Sequence, residues 1–417
     1  MSGFTNAISH LTDKNGDRIL PVIEDMQQRE NGILIVNLAC DDDDARINAY
    51  VAGQYADIAA AGIIALAEAC RCRDILIYRG DANADAMLAG VNARTDIPAA
   101  ALSGPASPVL RDETALYTVI DTGVIRVNRA EQDYRRTFLS YGYQGRPTLV
   151  IDGETAYQAG RLHSDPDAAI TKLVAVNTII MEINVGASVA EALKGYDINS
   201  PVLIGGPCGR MISEQSLKDT YIGLKYEYDS IRTFTDKDCI IDELSRLYLS
   251  IRELSCAKCV MCREGSWQLC AIFSDIAAGR ANRDDIALIE DICPIIHAGA
   301  LCSFGKNMVM PALTAATECR GIFEKHIIGK NCPAGRCAGF IKYIVDPSLC
   351  TGCGDCIDSC PEEAIEGKPG FIHIIDEKLC DKCGDCVSSC PEKAIKRDAG
   401  SIRTPKKPVK AGRFTGN

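Results

Sequence analysis

The chain contains no long uninterrupted apolar run. Its most apolar stretch, Ala56–Cys70, is broken by Asp57 and Glu68 and falls short of the roughly 20 residues that cross a bilayer. The opening segment, MSGFTNAISHLTDKNGDR, lacks a basic start followed by an apolar core, so no signal peptide is expected. Positive charge is also in deficit: 45 Lys and Arg stand against 56 Asp and Glu, for a net charge of -11. General nucleic-acid binding needs a basic surface, so that class is set aside. Histidine is scarce, with five residues, and none has a plausible catalytic partner nearby in sequence. His297 is read as a satisfied core residue. No acid–base or nucleophilic centre is nominated.

Cysteine is abundant, with 22 residues. In a small secreted domain that would mean disulfides. Here the chain is long and many of its cysteines fall in tight runs, which points to metal ligands in a reducing cytoplasm. A length of 417 residues exceeds one ordinary core, and three or four domains are expected at roughly 100–200 residues each. Gly32–Leu38 (GILIVNL), Asp74–Tyr78 and Thr148–Asp152 read as buried strands, with Ala-rich Ala56–Cys70 as a helix between the first two. This order predicts a parallel α/β domain. The four acids Asp41–Asp44 read as a solvated loop. From Lys172 to about Ser213 the pattern is that of a small α+β module. From Asp236 to about Ile328 it is helical, interrupted by Pro294 and Pro311.

The C-terminal part repeats one motif. CTGCGDCIDSCPEEAI supplies Cys350, Cys353, Cys356 and Cys360, and CDKCGDCVSSCPEKAI supplies Cys380, Cys383, Cys386 and Cys390. In the C-x2-C-x2-C-x3-C-P run, three thiolates grip one face of a cubane and the fourth serves the other cluster. One cluster is therefore expected on Cys350, Cys353, Cys356 and Cys390, and a second on Cys380, Cys383, Cys386 and Cys360. Zinc knuckles seldom use three cysteines at this spacing followed by Cys-Pro, twice in tandem. Residues 341–397 resemble a bacterial two-cluster ferredoxin domain.

Upstream, ELSCAKCVMCREGSWQLC repeats the three-cysteine grip with Cys256, Cys259 and Cys262. Cys270 is too far along a helix and has no following Pro. Cys302 in ALCSFG is the best fourth ligand. SCAKCVMCREG followed by LCSFG resembles the flavoprotein subunit of complex I, a family shared with soluble hydrogenases and formate dehydrogenases. That resemblance implies one [4Fe–4S] cluster on Cys256, Cys259, Cys262 and Cys302, in a helical bundle. Weaker likeness extends to GILIVNLACDDDD, DILIYRGD, DETAL, GRPTLVIDGET and VLIGGPCGRMIS. It implies a Rossmann-like or flavodoxin-like α/β domain and a ubiquitin-like (SLBB-type) module.

The chain departs from the family at the flavin. No Gly-rich loop precedes Gly32, although close approach of backbone N–H groups to a phosphate requires one. The family's paired Asn is Ile151–Asp152 here. The acidic run at Asp41–Asp44 would repel a phosphate. The expectation is that FMN and NADH binding are lost. HIIGKNCPAGRC (His326–Cys337) resembles the family's linker before its ferredoxin domain, and Cys239, His326, Cys332 and Cys337 together form a donor set that suits tetrahedral Zn²⁺. Cys40, Cys70, Cys72, Cys208, Cys270, Cys293 and Cys319 are expected to be ordinary buried residues. Cys70 and Cys72, placed on one strand, would share a face.

The expected organisation is thus a degenerate flavin/NADH-type domain at 1–168, a ubiquitin-like module at 169–235, a helical bundle with one cluster and a zinc-type linker at 236–340, a two-cluster ferredoxin domain at 341–397, and a basic flexible tail at 398–417. The expected role is one-electron relay through three [4Fe–4S] clusters in a soluble multi-subunit oxidoreductase, with no catalytic site of its own. The alternatives are an FMN-containing NAD(P)H dehydrogenase subunit and a structural scaffold. By resemblance, the partners are a thioredoxin-like [2Fe–2S] subunit, a hydrogenase, a formate dehydrogenase or a second flavoprotein, with soluble ferredoxin a further candidate.

Overall fold

The computed structural model describes residues 2–40, 44–128, 142–198, 200–397 and 403–414. Of the acidic run, 41–43 lie outside them. The chain divides into two compact units, residues 1–274 with 282–324, and residues 275–281 with 325–417.

The first unit begins with a parallel sheet of β1 (Gly32–Asn37), β2 (Cys72–Tyr78), β3 (Ala99–Leu102) and β4 (Thr148–Asp152), in the order β3-β2-β1-β4. β1 is central and buried at every position, as its continuous GILIVN run requires when both faces are covered. Val36 stands opposite Ile77 on one side and Ile151 on the other. Helices Ala56–Ala69 and Gly153–Ser164 pack so closely that a Cβ on Gly62 would lie 2.0 Å from the Ala156 carbonyl oxygen, and one on Gly160 would lie 1.9 Å from that of Ile58. The second helix starts where the Asp152 carboxylate accepts the Thr155 N–H at 3.0 Å, an N-cap. Strand order runs outward from β1 to β2 and β3 on one side and to β4 on the other. The carboxyl ends of β1 and β4 therefore flank the point where doubly wound sheets bind ligands.

Cys70 and Cys72 do not share a strand. Cys70 caps the preceding helix, Arg71 turns the chain through a left-handed conformation, and Cys72 opens β2.

A second sheet holds β5 (Thr171–Val176), β6 (Ile179–Asn184), β7 (Val202–Ile204), β8 (Arg210–Ile212) and β9 (Ser230–Arg232), in the order β6-β5-β9-β7-β8. β5 and β9 are parallel and the other pairs antiparallel. Asn177 and Thr178, both at positive φ, close the β5–β6 hairpin, as a two-residue turn demands. The helical part follows with Ile240–Leu254, Val260–Ala277, Asp284–Gly299, Ser303–Asn307, Met310–Glu318 and Arg320–Ile327. Pro294 sits inside its helix, whereas Pro311 lies in the first turn of its own. Tyr248 anchors this part: it is buried, donates to the Met308 carbonyl at 2.9 Å, accepts the Ala312 N–H at 3.1 Å and stacks on Phe273. His297 is exposed instead of core, with Nδ1 2.8 Å from the Lys306 carbonyl. Among the described residues, no single helix is long and apolar enough to cross a membrane.

The second unit is a pseudo-twofold. β10 (Tyr343–Val345) pairs with β13 (Ile395–Arg397), and β11 (Ile365–Glu366) with β12 (Ile374–Ile375). The Asp346 N–H donates to Ala394 at 2.7 Å, and its counterpart on Asp376 donates to Ala364 at 2.8 Å. Residues 403–414 of the tail, expected to be flexible, pair with this unit instead. Ile372 N–H donates to Val409, Ala411 N–H donates to Gly370, and Val409 and Phe414 cover its core. The rest of the tail, 398–402 and 415–417, lies outside the described residues. Residues 325–340, expected with the bundle, group with this unit.

Candidate metal centres

In the second unit, two cavities gather the tandem cysteines. One is lined by Cys350, Cys353, Cys356 and Cys390, with His373. The other is lined by Cys360, Cys380, Cys383 and Cys386, with Tyr343. In each, three cysteines come from one copy and the fourth from the other. The loops owe their shape to left-handed residues: Gly352 and Gly354 in the first copy, Lys382 and Gly384 in the second. A Cβ on Gly352 would sit 2.5 Å from the Phe371 nitrogen. Backbone N–H groups donate to sulfur at equivalent places, Ala364 to Cys360 and Ala394 to Cys390, both at 3.3 Å. Four thiols with N–H donors behind them suit iron–sulfur ligation. Burial pushes the Cys356 thiol up to about 12 and Cys386 to about 11, so these two thiols, when bare, stay protonated until a cation takes them. His373 is buried, and burial holds its imidazole below the ordinary range.

The third set lies in the helical part of the first unit. Cys262 is buried in the first turn of its helix, while Cys256 and Cys259 are partly exposed. Cys302 caps the helix Ser303–Asn307, its sulfur accepting the Gly305 N–H at 3.4 Å. A Cβ on Gly305 would stand 3.4 Å from the Cys262 sulfur, so the glycine leaves room between these two cysteines. Ser255 Oγ lies 3.4 Å from the Cys262 sulfur. A hydrogen bond from Cys262 holds Cys259 down to about 5, and the same contact raises Cys262. Burial, with smaller contributions from Asp112, Cys256 and Cys259, pushes Cys302 up to about 12. Cys256 and Cys259 are thus close enough to Cys302 to act on it.

His326, Cys332 and Cys337 are buried in the second unit, their ligand atoms within 4.8 Å of one another. The Cys332 sulfur accepts the Arg336 N–H at 3.4 Å, and the His326 ring meets Phe340 edge-on. Cys239 is buried at the N-cap of Ile240–Leu254, in the first unit. The seven cysteines left over are all buried.

The crevice at the carboxyl ends of β1 and β4 is filled from within. The Lys14 ammonium lies 3.2 Å from Asp152, 3.1 Å from Glu154 and 2.9 Å from Asp229. Lys172, fully buried, pairs with Glu154 and Asp229. Glu154 also accepts the Leu173 N–H at 2.6 Å. Burial alone would raise the Asp229 carboxyl, but Lys14, Lys172 and Arg111 outweigh it and hold it below its usual value. The space left among Lys14, Asn37, Arg111, Glu113 and Asp152 is about 30 Å³, room for about one water molecule. Here burial pushes Glu113 up to about 7, helped by Asp13 and Asp112, and burial pushes Asp13 to about 6. Sequence reading did not find this network. Its one visible trace is Asp152 standing where the resembling family has Asn.

Comparison with known proteins follows the same division. Residues 242–326 match the NADH-ubiquinone oxidoreductase-F iron-sulfur binding region, and residues 349–395 match the 4Fe-4S dicluster domain. The NADP-reducing hydrogenase subunit HndC of Solidesulfovibrio fructosivorans is 29% identical over 237 residues, 54% of this chain and 46% of that subunit. The F subunit of NADH-quinone oxidoreductase in Streptomyces coelicolor is 29% identical over 104 residues, 25% of this chain and 23% of the relative. The matched part thus spans less than half the length of these relatives. In fold, the chain is similar to an NAD+-reducing [NiFe]-hydrogenase chain solved in the H2-reduced state. The TM-score is 0.67 at 17% identity, covering 78% of this chain and 62% of the other. With its two domain matches falling on the two cysteine-bearing regions, the chain is an iron–sulfur protein related to the F subunit of NADH-quinone oxidoreductase and to hydrogenase subunit HndC.

Proposed function

We propose that this chain relays single electrons through three [4Fe–4S] clusters inside a multi-subunit oxidoreductase, and that it binds neither FMN nor NADH. The observation that carries the relay is the convergence of four cysteines on each cavity of the second unit, together with the Cys256–Cys259–Cys262–Cys302 neighbourhood. Bound clusters supply one-electron redox chemistry. The chain's own part is to hold them with thiolates and to set their potentials through N–H···S bonds and burial.

The loss of flavin binding is supported by the crevice. Lys14 occupies the switch point, and its carboxylate partners Asp152 and Asp229 neutralise it where a phosphate would need a cation. The rival reading, an FMN-containing dehydrogenase subunit, draws on the names of the relatives. We further assign a ubiquitin-like module to 169–235, supported by its five-stranded order with two central parallel strands. Zn²⁺ is assigned to His326, Cys332 and Cys337, whose imidazole and thiol donors are of the kind that hold this ion. The chain works in the cytoplasm beside other redox subunits, of thioredoxin-like [2Fe–2S], hydrogenase, formate dehydrogenase or flavoprotein type.

The test is composition. Protein purified without oxygen is expected to carry about twelve irons with matching acid-labile sulfide, one zinc and no flavin. One equivalent of FMN in an acid extract would replace this reading with the dehydrogenase one. Iron that neither dithionite nor reduced ferredoxin can reduce would leave a structural scaffold.

A further inference from the structure

The two halves of the ferredoxin unit are near copies, and their differences stand out against the symmetry. FIHIIDEKLC (Phe371–Cys380) and IKYIVDPSLC (Ile341–Cys350) occupy equivalent places, as the matched Asp346 and Asp376 hydrogen bonds show. His373 therefore corresponds to Tyr343. Each ring lines the cavity that holds the other copy's first three cysteines: His373 beside Cys350, Cys353 and Cys356, and Tyr343 beside Cys380, Cys383 and Cys386.

The two rings meet their cavities differently. His373 is 2% exposed, and its Nδ1 lies 3.1 Å from the Cys356 sulfur. The ring sits in a slot kept open by Gly367, where a Cβ would stand 1.8 Å from His373 Cδ2. Among the described residues Nε2, also buried, has no hydrogen-bond partner, so Nδ1 makes the ring's polar contact. Tyr343 is only half-buried. Its hydroxyl lies against backbone, such that a Cβ on Gly384 would stand 2.8 Å away.

We propose that His373 donates its Nδ1–H to the Cys356 ligand and thereby makes the cluster on Cys350, Cys353, Cys356 and Cys390 the easier of the two to reduce. This rests on the cluster assignment above. An N–H aimed at a ligand sulfur offsets part of the negative charge that one added electron places on the thiolates. The electron comes from the neighbouring cluster or another one-electron donor; no covalent bond is made or broken and no proton moves. The imidazole thus sets the resting place of an electron within a pair whose cysteine ligands are otherwise alike. It is a positioning residue, not a ligand.

The test uses the full chain assembled without oxygen, as wild type, His373→Phe and His373→Asn, with iron and sulfide measured on each. EPR-monitored redox titration reads the potentials. His373→Phe is expected to lower the reduced-to-oxidised ratio of one cluster about tenfold at fixed potential, about 59 mV for a one-electron couple, and to leave the others in place. His373→Asn, which restores an N–H donor, is expected to recover most of the shift. In wild type labelled with ¹⁵N-histidine, pulsed EPR is expected to show a nitrogen coupling to one reduced ferredoxin-type cluster. Unchanged potentials in His373→Phe with full iron and sulfide would overturn the proposal. If that variant loses its iron, the labelled wild type decides, and absence of the coupling there overturns the proposal. Wild type without iron or sulfide overturns the cluster assignment itself.

Discussion

The crevice beside β1 and β4 and the thiol cavities of the ferredoxin unit treat buried polar groups in opposite ways. In the crevice, Lys14 and Lys172 meet Asp152, Glu154 and Asp229, and about 30 Å³ is left over. Here buried cations and carboxylates lie in direct contact with one another. In the thiol cavities, four sulfurs face one space, and burial keeps Cys356 and Cys386 protonated when bare. Those donors find their complement only in soft cations. The difference sets charged side chains that meet one another in the crevice against thiols gathered around a common space.

Removing a donor breaks the second kind of site outright. Cys302→Ala is expected to abolish the bundle cluster, lowering iron by about four per chain and removing one EPR signal, with the ferredoxin-type signals retained. Loss of all three signals would mean that the sites do not assemble independently.

Breaking the first kind of site costs stability instead. Lys172→Met takes away one of the cations that hold Glu154 and Asp229 in a buried setting. The expected cost is about 3–5 kcal/mol, read as a lower unfolding temperature in calorimetry, with iron content unchanged at low temperature. Neither this variant nor Lys14→Met is expected to bind FMN.

How much of this was legible in the sequence depends on how local each interaction is. The tandem cysteine motif carries a spacing, so the grouping of cysteines that lines the two cavities could be read across the repeat before any coordinates. β4 was legible as Thr148–Asp152 because a short β-branched run between Pro147 and Gly153 has few alternatives. The ion-pair network was not, because Lys14 meets partners 140 and 215 residues away along the chain, and no periodicity marks them. β3 was missed because AAAL is a poor strand signal and pairs only at the sheet edge. His297 was misjudged because a histidine in a helical pattern does not reveal which face it occupies; the structure puts it outside, bound to the Lys306 carbonyl. The tail was misjudged because its Lys and Pro content hides Val409 and Phe414, which cover the core.

Zinc gives a sharper contrast within the cysteine sites. Cys337→Ser is expected to release one zinc, measured by elemental analysis, while iron content and all three EPR signals stay. Loss of iron instead would place Cys337 among the cluster ligands.

The smallest expected effect concerns pH. Glu113 ionises at about 7 in the folded chain, against an ordinary value of 4.5. Between those values the folded state holds a proton that the unfolded state has lost, so this group's contribution to stability falls as pH rises from about 4.5 to about 7 and is flat above. Asp13, raised to about 6, acts in the same sense. Glu113→Gln is expected to flatten the unfolding temperature across that window. An unchanged slope would show that Glu113 is not the group that titrates there.

The most direct measurement is spin-quantified EPR of the anaerobic, reduced chain together with its acid extract. The expected result is about three spins from [4Fe–4S] centres per polypeptide, no flavin radical and no extractable FMN. Stoichiometric flavin, or fewer than two such centres in protein with a full complement of iron, would contradict it.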